Sequence, residues 1–316
     1  MRAEAEKIVL EIEKVIAGKR GVIVKILTTL LAGGHVLLDD VPGVGKTTLA
    51  TALSRAVGLE YQRVQFTPDL LPSDLVGFSM YNRKTGEFEY RPGALSQASL
   101  LLCDEINRAS SKTQSALLEA MEENQVTVDG RTYPLKDPFM VIATENSVGT
   151  AGTQLLPYAQ MDRFMTRLTL GYPDYEAQMT MLRARRDGNP MDRVEAVADR
   201  ESFLAMRRGA ERVTVREPVW DYITRLTLAS RDLPQLEIGI SPRGALFLDR
   251  MARAHAWMED RDYVTGGDVQ AVFPDVCAHR VLLRDPSSGE TAEDVLRGLL
   301  KSVENPDRHS RGLLKK

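Results

Sequence analysis

The feature that most constrains this chain is a short apolar run, His35-Val36-Leu37-Leu38-Asp39, followed at once by Asp40-Val41-Pro42-Gly43-Val44-Gly45-Lys46-Thr47. The run is too short for a helix and has glycines on both sides, so it reads as a buried strand. From Lys46 toward Val57 the chain reads as a helix. A strand, a glycine-rich turn and a helix in that order bring backbone N–H groups and the positive end of a helix dipole to one point. There the glycines let amides close around phosphates, Lys46 reaches the β- and γ-phosphates, and the Thr47 hydroxyl is placed to ligate Mg²⁺. The first glycine of the GxxxxGK[ST] pattern is replaced by Asp40. The bland alternative is an ordinary strand–helix turn, against which the lysine–threonine pair at the helix start argues.

A second apolar run, Ser99-Leu100-Leu101-Leu102-Cys103, ends in Asp104-Glu105. Two acids at the C-terminal end of a buried strand need partners or a task. In a P-loop sheet that end faces the phosphates, so Asp104 would hold Mg²⁺ through its water shell and Glu105 would polarise the attacking water. Alone, the same string also arises from acids that cap helices. The upstream loop is what gives it meaning.

The rest of the chain supplies the frame. Ile8, Ile12 and Ile16 recur at i, i+4 and predict a helix ending near Gly18; a second helix carries Ile23, Ile26, Leu27, Leu30 and Leu31 and stops at Gly33-Gly34. Strands are expected at 61–66, 100–103, 139–143 and 166–170, with helices between them at 112–122 and 175–185. This alternation indicates an α/β domain with a largely parallel sheet. Two segments, 78–91 and 125–135, instead alternate with period 2 around Thr85-Gly86 and Asp129-Gly130, and read as inserted β-hairpins. Asp187-Gly188-Asn189-Pro190 reads as a hinge. Beyond it come helical stretches at 201–209, 218–230, 242–258, 267–280 and 292–303. The expected division is an α/β core over 1–188, a smaller helical domain over 189–304, and a loose polar tail over 305–316.

Composition sets the outer bounds. In 316 residues, 43% hydrophobic and 27% charged, there is room for a core and a smaller domain. A net charge of −3 gives no overall pull toward nucleic acid or anionic membrane. Cys103 and Cys277 lack metal-ligand spacing, and Cys103 reads as a buried, reduced thiol. His35, His255, His279 and His309 form no HxxxH or HxH pair, so no zinc site is expected. The N-terminus opens an amphipathic helix rather than a signal peptide, and no apolar run approaches the ~18 residues of a membrane span. A cytoplasmic protein is the expectation.

Longer strings then become informative: Gln65-Phe66-Thr67-Pro68-Asp69-Leu70-Leu71-Pro72-Ser73-Asp74, Leu102-Cys103-Asp104-Glu105-Ile106-Asn107-Arg108-Ala109, Ala116-Leu117-Leu118-Glu119-Ala120-Met121, Ala159-Gln160-Met161-Asp162-Arg163-Phe164, and Ser241-Pro242-Arg243. With the run into the P-loop, they resemble the MoxR family of AAA+ ATPases, of the helix-2-insert group, over nearly the whole chain. The resemblance implies a P-loop AAA+ core with a parallel sheet and inserted hairpins, followed by a small all-helical lid domain. It accommodates Asp40, because the family shares Val-Pro-Gly-Val-Gly-Lys-Thr without the first glycine. It implies ATP and Mg²⁺ as cofactors, with Pro42, Gly43, Val44, Gly45, Lys46, Thr47 and Thr48 around the nucleotide and Thr47 and Asp104 toward the metal.

The resemblance also assigns catalytic roles beyond Lys46 and Glu105. Asn146 matches sensor 1, although a strand-capping Asn looks the same, and Arg163 matches an arginine finger that reaches a neighbouring subunit, although an ion pair with Asp162 would look the same. Arg243 matches sensor 2 on the lid; a cation at a helix N-terminus opposes the dipole, and is easier to understand if it faces a phosphate. Ala143-Thr144-Glu145-Asn146-Ser147 departs from the family's Ala-Thr-Gln-Asn-Pro at Glu145 and Ser147. Gly18-Lys19 falls where related ATPases contact the adenine edge. The hairpins resemble the helix-2 insert and the pre-sensor-1 hairpin, on the pore side of a ring. Phe78, Tyr81, Phe88 and Tyr90 there either grip a substrate or pack against their own domain.

Three classes of function follow from the resemblance. The first is an ATP-driven remodelling, maturation or assembly factor of chaperone type, working as a hexameric ring with a von Willebrand factor A-domain protein or another protein client. The second is a DNA-dependent motor, against which the acidic balance and the lack of an appended DNA-binding motif argue. The third is a nucleotide-gated scaffold with little turnover, against which the full set Lys46, Asp104, Glu105, Asn146 and Arg163 argues.

Overall fold

The computed structural model describes residues 1–146, 156–186 and 188–307. Ser147 of the sensor segment, Asp187 of the turn cluster and the tail beyond 307 lie outside the described residues. Five strands form one sheet in the order Tyr61–Gln65, Leu100–Asp104, Met140–Glu145, Val36–Asp39, Thr166–Leu168, and every neighbouring pair is parallel. The three inner strands are buried along their whole length, whereas the edge strand Tyr61–Gln65 is partly open to solvent. Strands covered on both faces have no polar side to show, which is why they read as unbroken apolar runs. The period-2 alternation survives inside those runs. Val36, Leu38, Leu100, Leu102, Met140 and Ile142 join one core layer, and Leu37, Leu101, Cys103, Val141 and Ala143 join the other. Ile8, Ile12, Ile26, Leu27, Leu49 and Leu53 fill the first layer; Phe66, Leu117, Leu118 and Met121 fill the second.

Both expected hairpins form, Gly77–Asn82 against Glu87–Pro92 and Gln125–Val128 against Arg131–Pro134. Tyr90 packs against its own domain, stacking on Tyr133 at 3.9 Å and donating its hydroxyl to Val76 O at 2.6 Å. Phe78, Tyr81 and Phe88 stay more than half exposed. The first helix is shorter than its periodicity suggests. It spans Ala3–Glu13, and its last turn tightens as Lys14 N bonds to Glu11 O at 3.3 Å and Val15 N to Ile12 O at 3.0 Å. Tertiary packing takes over from there. The turn at Gly18 presses so close to the helix Tyr175–Arg186 that a Cβ at Gly18 would lie 2.8 Å from that of Ala177. Ile16 N still bonds to Ile12 O at 3.0 Å, and its side chain stays in the first core layer, set against the P-loop.

Residues 190–198 run back along the α/β unit, where Arg55 donates to Met191 O at 2.9 Å and the amides of Val197 and Ala198 reach Ala56 O. Helices Arg200–Glu211, Glu217–Arg231, Pro242–Met258, Gly266–Cys277 and Ala292–Ser302 follow. Side chains of Asp199, Ser241, Thr265 and Thr291 cap four of them by accepting an orphan backbone N–H. The helical unit also carries a short antiparallel ribbon, Leu236–Ile238 with Leu282–Leu283, that the apolar periodicity does not announce. Arg280, wholly buried, ties this unit to the core: it donates to Asp162 O at 2.9 Å, with its Nε 3.0 Å from Asp162 Oδ1. Among the described residues no helix is long and apolar enough to cross a membrane.

Candidate functional site

The parallel sheet points the C-terminal ends of its strands to one side, and the chemistry collects there. Gly43 and Gly45 both adopt positive φ, +85° and +99°, which lets the loop curl before the helix Lys46–Ala56 begins. Ile16 sits where a Cβ on Gly45 would meet its Cδ1 at 3.4 Å. Lys46 folds back beneath the loop, and its Nζ donates to Asp40 O at 2.8 Å, Glu145 O at 3.1 Å and Asn146 Oδ1 at 2.7 Å. Burial lowers its pKa from the usual lysine value, against the opposing pull of Asp40, Asp39, Asp104 and Glu105. Asp40, the departure from glycine, has a structural task. Its carboxylate accepts Val41 N at 2.9 Å and Gly171 N at 2.7 Å, tying the P-loop to the chain beyond the last strand.

The two acids of the neighbouring strand are held by different sets of donors. Asp104 accepts Thr47 Oγ1 at 3.2 Å and Arg63 Nε at 2.7 Å on Oδ2, and Thr144 Oγ1 at 3.3 Å on Oδ1. Glu105 stands at φ 55°, ψ 52°, a left-handed conformation that costs a non-glycine residue about 1–2 kcal/mol. Its N–H donates to Thr144 Oγ1 at 2.9 Å, which helps hold the bend. The bend turns its carboxylate toward Asn146 Nδ2 at 2.8 Å, Gln65 Nε2 at 3.0 Å and Arg108 Nη1 at 2.8 Å. Asn146 therefore touches both Lys46 and Glu105. Glu145 beside it is buried, and burial, followed by the nearby Asp39 charge, raises its carboxyl pKa.

Pro42, Gly43, Gly45, Lys46, Thr47 and Thr48 line a cavity of about 330 Å³ together with Arg63, Gln65, Asp104, Glu105, Thr144 and Asn146. Gly43, Gly45 and Thr48 also border an adjoining cavity of about 470 Å³, with apolar walls from Val15, Ile16, Ala17, Val44, Tyr172 and Met181. Lys19 lies at its rim, where its Nζ donates to Tyr172 O at 2.7 Å. A polar chamber opening into an apolar one suits a polyphosphate attached to a flat aromatic base. The donor set also suits magnesium, a hard cation that takes one or two protein oxygens and fills its sphere with phosphate and water. Thr47 Oγ1 and Asp104 Oδ2 converge on one spot, and the described residues contain no group of three or more His, Cys, Asp or Glu that would cage a metal alone.

Two expected site residues lie elsewhere. Arg163 and Arg243 line neither of these cavities; they border a third, of about 420 Å³, with Arg207 and Arg250. Glu122 bridges them, accepting Arg163 Nε at 2.9 Å on one oxygen and Arg243 on the other. Their carboxylate partners bear on both expectations. Arg163 pairs with Glu122 rather than with its neighbour Asp162, which is taken by Arg280, by Ser241 Oγ at 3.1 Å and by Arg243 at 3.5 Å. Arg243 does not oppose its helix dipole unaided, because Glu122 and Asp162 compensate it without any phosphate. Arg63, Thr144, Arg108 and Glu122 join these sites without any motif that gives them a role. Gln65 stood inside a recognised string, and its i, i+2 spacing from Arg63 on a strand was the available clue to a shared face.

Comparison with known proteins follows the same outline. Residues 35–166 match the family described as "ATPase family associated with various cellular activities (AAA)", and residues 228–299 match the AAA lid domain. The chain is 44% identical to protein YeaC of Bacillus subtilis, over 96% of this chain and 95% of that one. It is 37% identical to "Chaperone MoxR1" of Mycobacterium tuberculosis, over 95% of this chain and 82% of that one. A crystal structure described as a putative ATPase from Cytophaga hutchinsonii superposes with a TM-score of 0.88 at 36% identity, covering 96% of this chain and 94% of that chain.

Proposed function

Because the chain belongs to the MoxR family of AAA ATPases, we propose that it binds Mg·ATP across the two adjoining cavities and hydrolyses it to drive remodelling or assembly of a protein client. The observation that carries this reading is the meeting of Lys46, Thr47, Asp104, Glu105 and Asn146 at the C-terminal ends of adjacent strands. The apolar chamber takes the adenine, and Pro42 to Thr48 surround the phosphates. Lys46 leaves its carbonyl partners for the β- and γ-phosphates. Thr47 and Asp104 would hold magnesium, and the ion would supply positive charge against the phosphate oxygens. Glu105, fixed by three side-chain donors, takes a proton from water as the water oxygen bonds to Pγ; the bond from Pγ to the bridging oxygen breaks and ADP leaves. Asn146, holding Glu105 on one side and Lys46 on the other, orients that water.

Arg163 and Arg243 act on a neighbouring subunit's γ-phosphate. Their place outside their own P-loop cavities, on one face and a third exposed, supports this. The protein then works as a ring, hexameric in our reading, and its active site is completed only at subunit contacts. A client remodelled by the ring fits the name of the MoxR1 relative, and a von Willebrand factor A-domain protein is the client class to seek first. Glu105→Gln is the test. The amide keeps the volume but cannot take a proton, so the variant should bind ATP as the parent does, lose turnover, and retain clients that co-purify with it. Parent-like hydrolysis by this variant would remove Glu105 from the role of base.

A further inference from the structure

Arg63 belongs to no expected motif, yet it makes the closest described ion pair of Asp104, Nε to Oδ2 at 2.7 Å. Strand register explains how it gets there. On the edge strand Arg63 lies opposite Leu102 and Gln65 opposite Asp104, and the two-residue period sends both side chains to one face. The oxygen that Arg63 holds is the one that matters. Thr144 takes Oδ1 at 3.3 Å, whereas Oδ2 accepts both Arg63 and the Thr47 hydroxyl at 3.2 Å. A metal held by Thr47 and Asp104, directly or through its water shell, would sit on the Oδ2 side of the carboxylate, where the Thr47 hydroxyl lies. The guanidinium already stands there.

We propose that Arg63 is the cation a divalent metal displaces at Asp104, so that this arginine sets how much magnesium the nucleotide site requires. The inference rests on the Mg·ATP reading of the cavity. Burial makes the exchange one cation for another: the Asp104 side chain is 8% exposed and needs a positive partner, while that of Arg63 is 50% exposed and is readily rehydrated when it swings out. Lys46 does not take that place, since its hydrogen bonds among the described residues go to Asp40 O, Glu145 O and Asn146 Oδ1. Arg63 also sits 3.4 Å from Gln65 Oε1, and the Gln65 amide donates to Glu105. Its departure thus frees a group that anchors the proposed base, linking metal arrival to the setting of Glu105.

The test titrates magnesium against a fluorescent ADP analogue followed by anisotropy, a readout that needs no turnover. Removing a half-exposed charge-assisted hydrogen bond that competes with the metal should lower the half-saturating magnesium concentration about three- to tenfold in Arg63→Gln. Arg63→Met, which keeps the aliphatic stem, should show the same shift, and Arg63→Lys should stay near the parent. Binding of the analogue in EDTA should not change. An unchanged or higher magnesium requirement in variants that melt like the parent overturns the proposal. Loss of metal-free affinity overturns it too, because the guanidinium would then be a phosphate ligand. If the parent itself shows no magnesium-dependent binding, the Mg·ATP reading fails, and this inference falls with it.

Discussion

Replacing Arg163 by alanine separates stability from activity in a way that tests the shared site. Arg163 is about one-third exposed, and its described ion pair is with Glu122, at 2.9 Å. Glu122 keeps Arg243 as a partner when Arg163 is gone, so the loss from folding should stay below about 1 kcal/mol. An arginine that stabilises the transferring phosphoryl group from outside the pocket is worth ~10³–10⁵ in rate, roughly 4–7 kcal/mol of barrier. The two effects differ several-fold, so an inactive Arg163→Ala protein should melt almost where the parent does. Turnover per subunit in the parent should rise with protein concentration as neighbours assemble, and Arg163→Ala should lose that rise while still binding ATP. Mixing gives the decisive assay. Arg163→Ala retains an intact pocket and Lys46→Ala retains an intact finger, so some contacts in a mixed ring join the two, and part of the activity should return. If mass measurements confirm mixed assemblies and no turnover returns, Arg163 does not serve a neighbour.

Two further outcomes follow from local geometry. Thr144→Val keeps the shape but removes the hydroxyl that donates to Asp104 and accepts Glu105 N–H, leaving a strained left-handed residue without its support. A loss of about 1–3 kcal/mol in denaturant unfolding and a fall in turnover are expected; parent-like values of both would show that the hydroxyl holds neither acid. In the helical unit, burial alone would raise the Asp268 pKa, but hydrogen bonds from His255, Arg261 and Thr265 outweigh it and hold the carboxyl far below the usual range. A depressed folded pKa gives stability that is present above about pH 4 and is lost as pH falls further. Asp268→Asn should therefore be less stable than the parent at neutral pH, and its stability should depend less on pH below about 4. Parallel acid limbs in the two proteins would refute the assignment.

Much of the proposed nucleotide site was legible in the chain because its parts are contiguous. The P-loop is a local object: two glycines at positive φ, a lysine whose Nζ reaches a carbonyl six residues back, and a helix that starts at that lysine. The apolar runs leading to Asp39 and Asp104 are buried on both faces, which makes them visible as strands without any knowledge of their neighbours. The hairpins announced themselves by period and by Asp129-Gly130. The periodicity placed Ile16 correctly in the core with Ile8 and Ile12, but not the point where the regular helix gives way to turns, which lies at Glu13, ahead of the Gly18 turn packed against Ala177.

What the sequence by itself determined was thus the class of fold, the P-loop and the acids that face it. The tertiary structure decided which groups those residues meet. Arg63 reaches Asp104 because one strand pairs with another in a particular register, and Asp162 is claimed by Arg280, 118 residues away, rather than by adjacent Arg163. Arg163 and Arg243 come together over Glu122 because the helical unit docks on the α/β unit. Ion pairs and hydrogen bonds act over a few ångströms in space, and only folding sets which distant parts of a chain come that close.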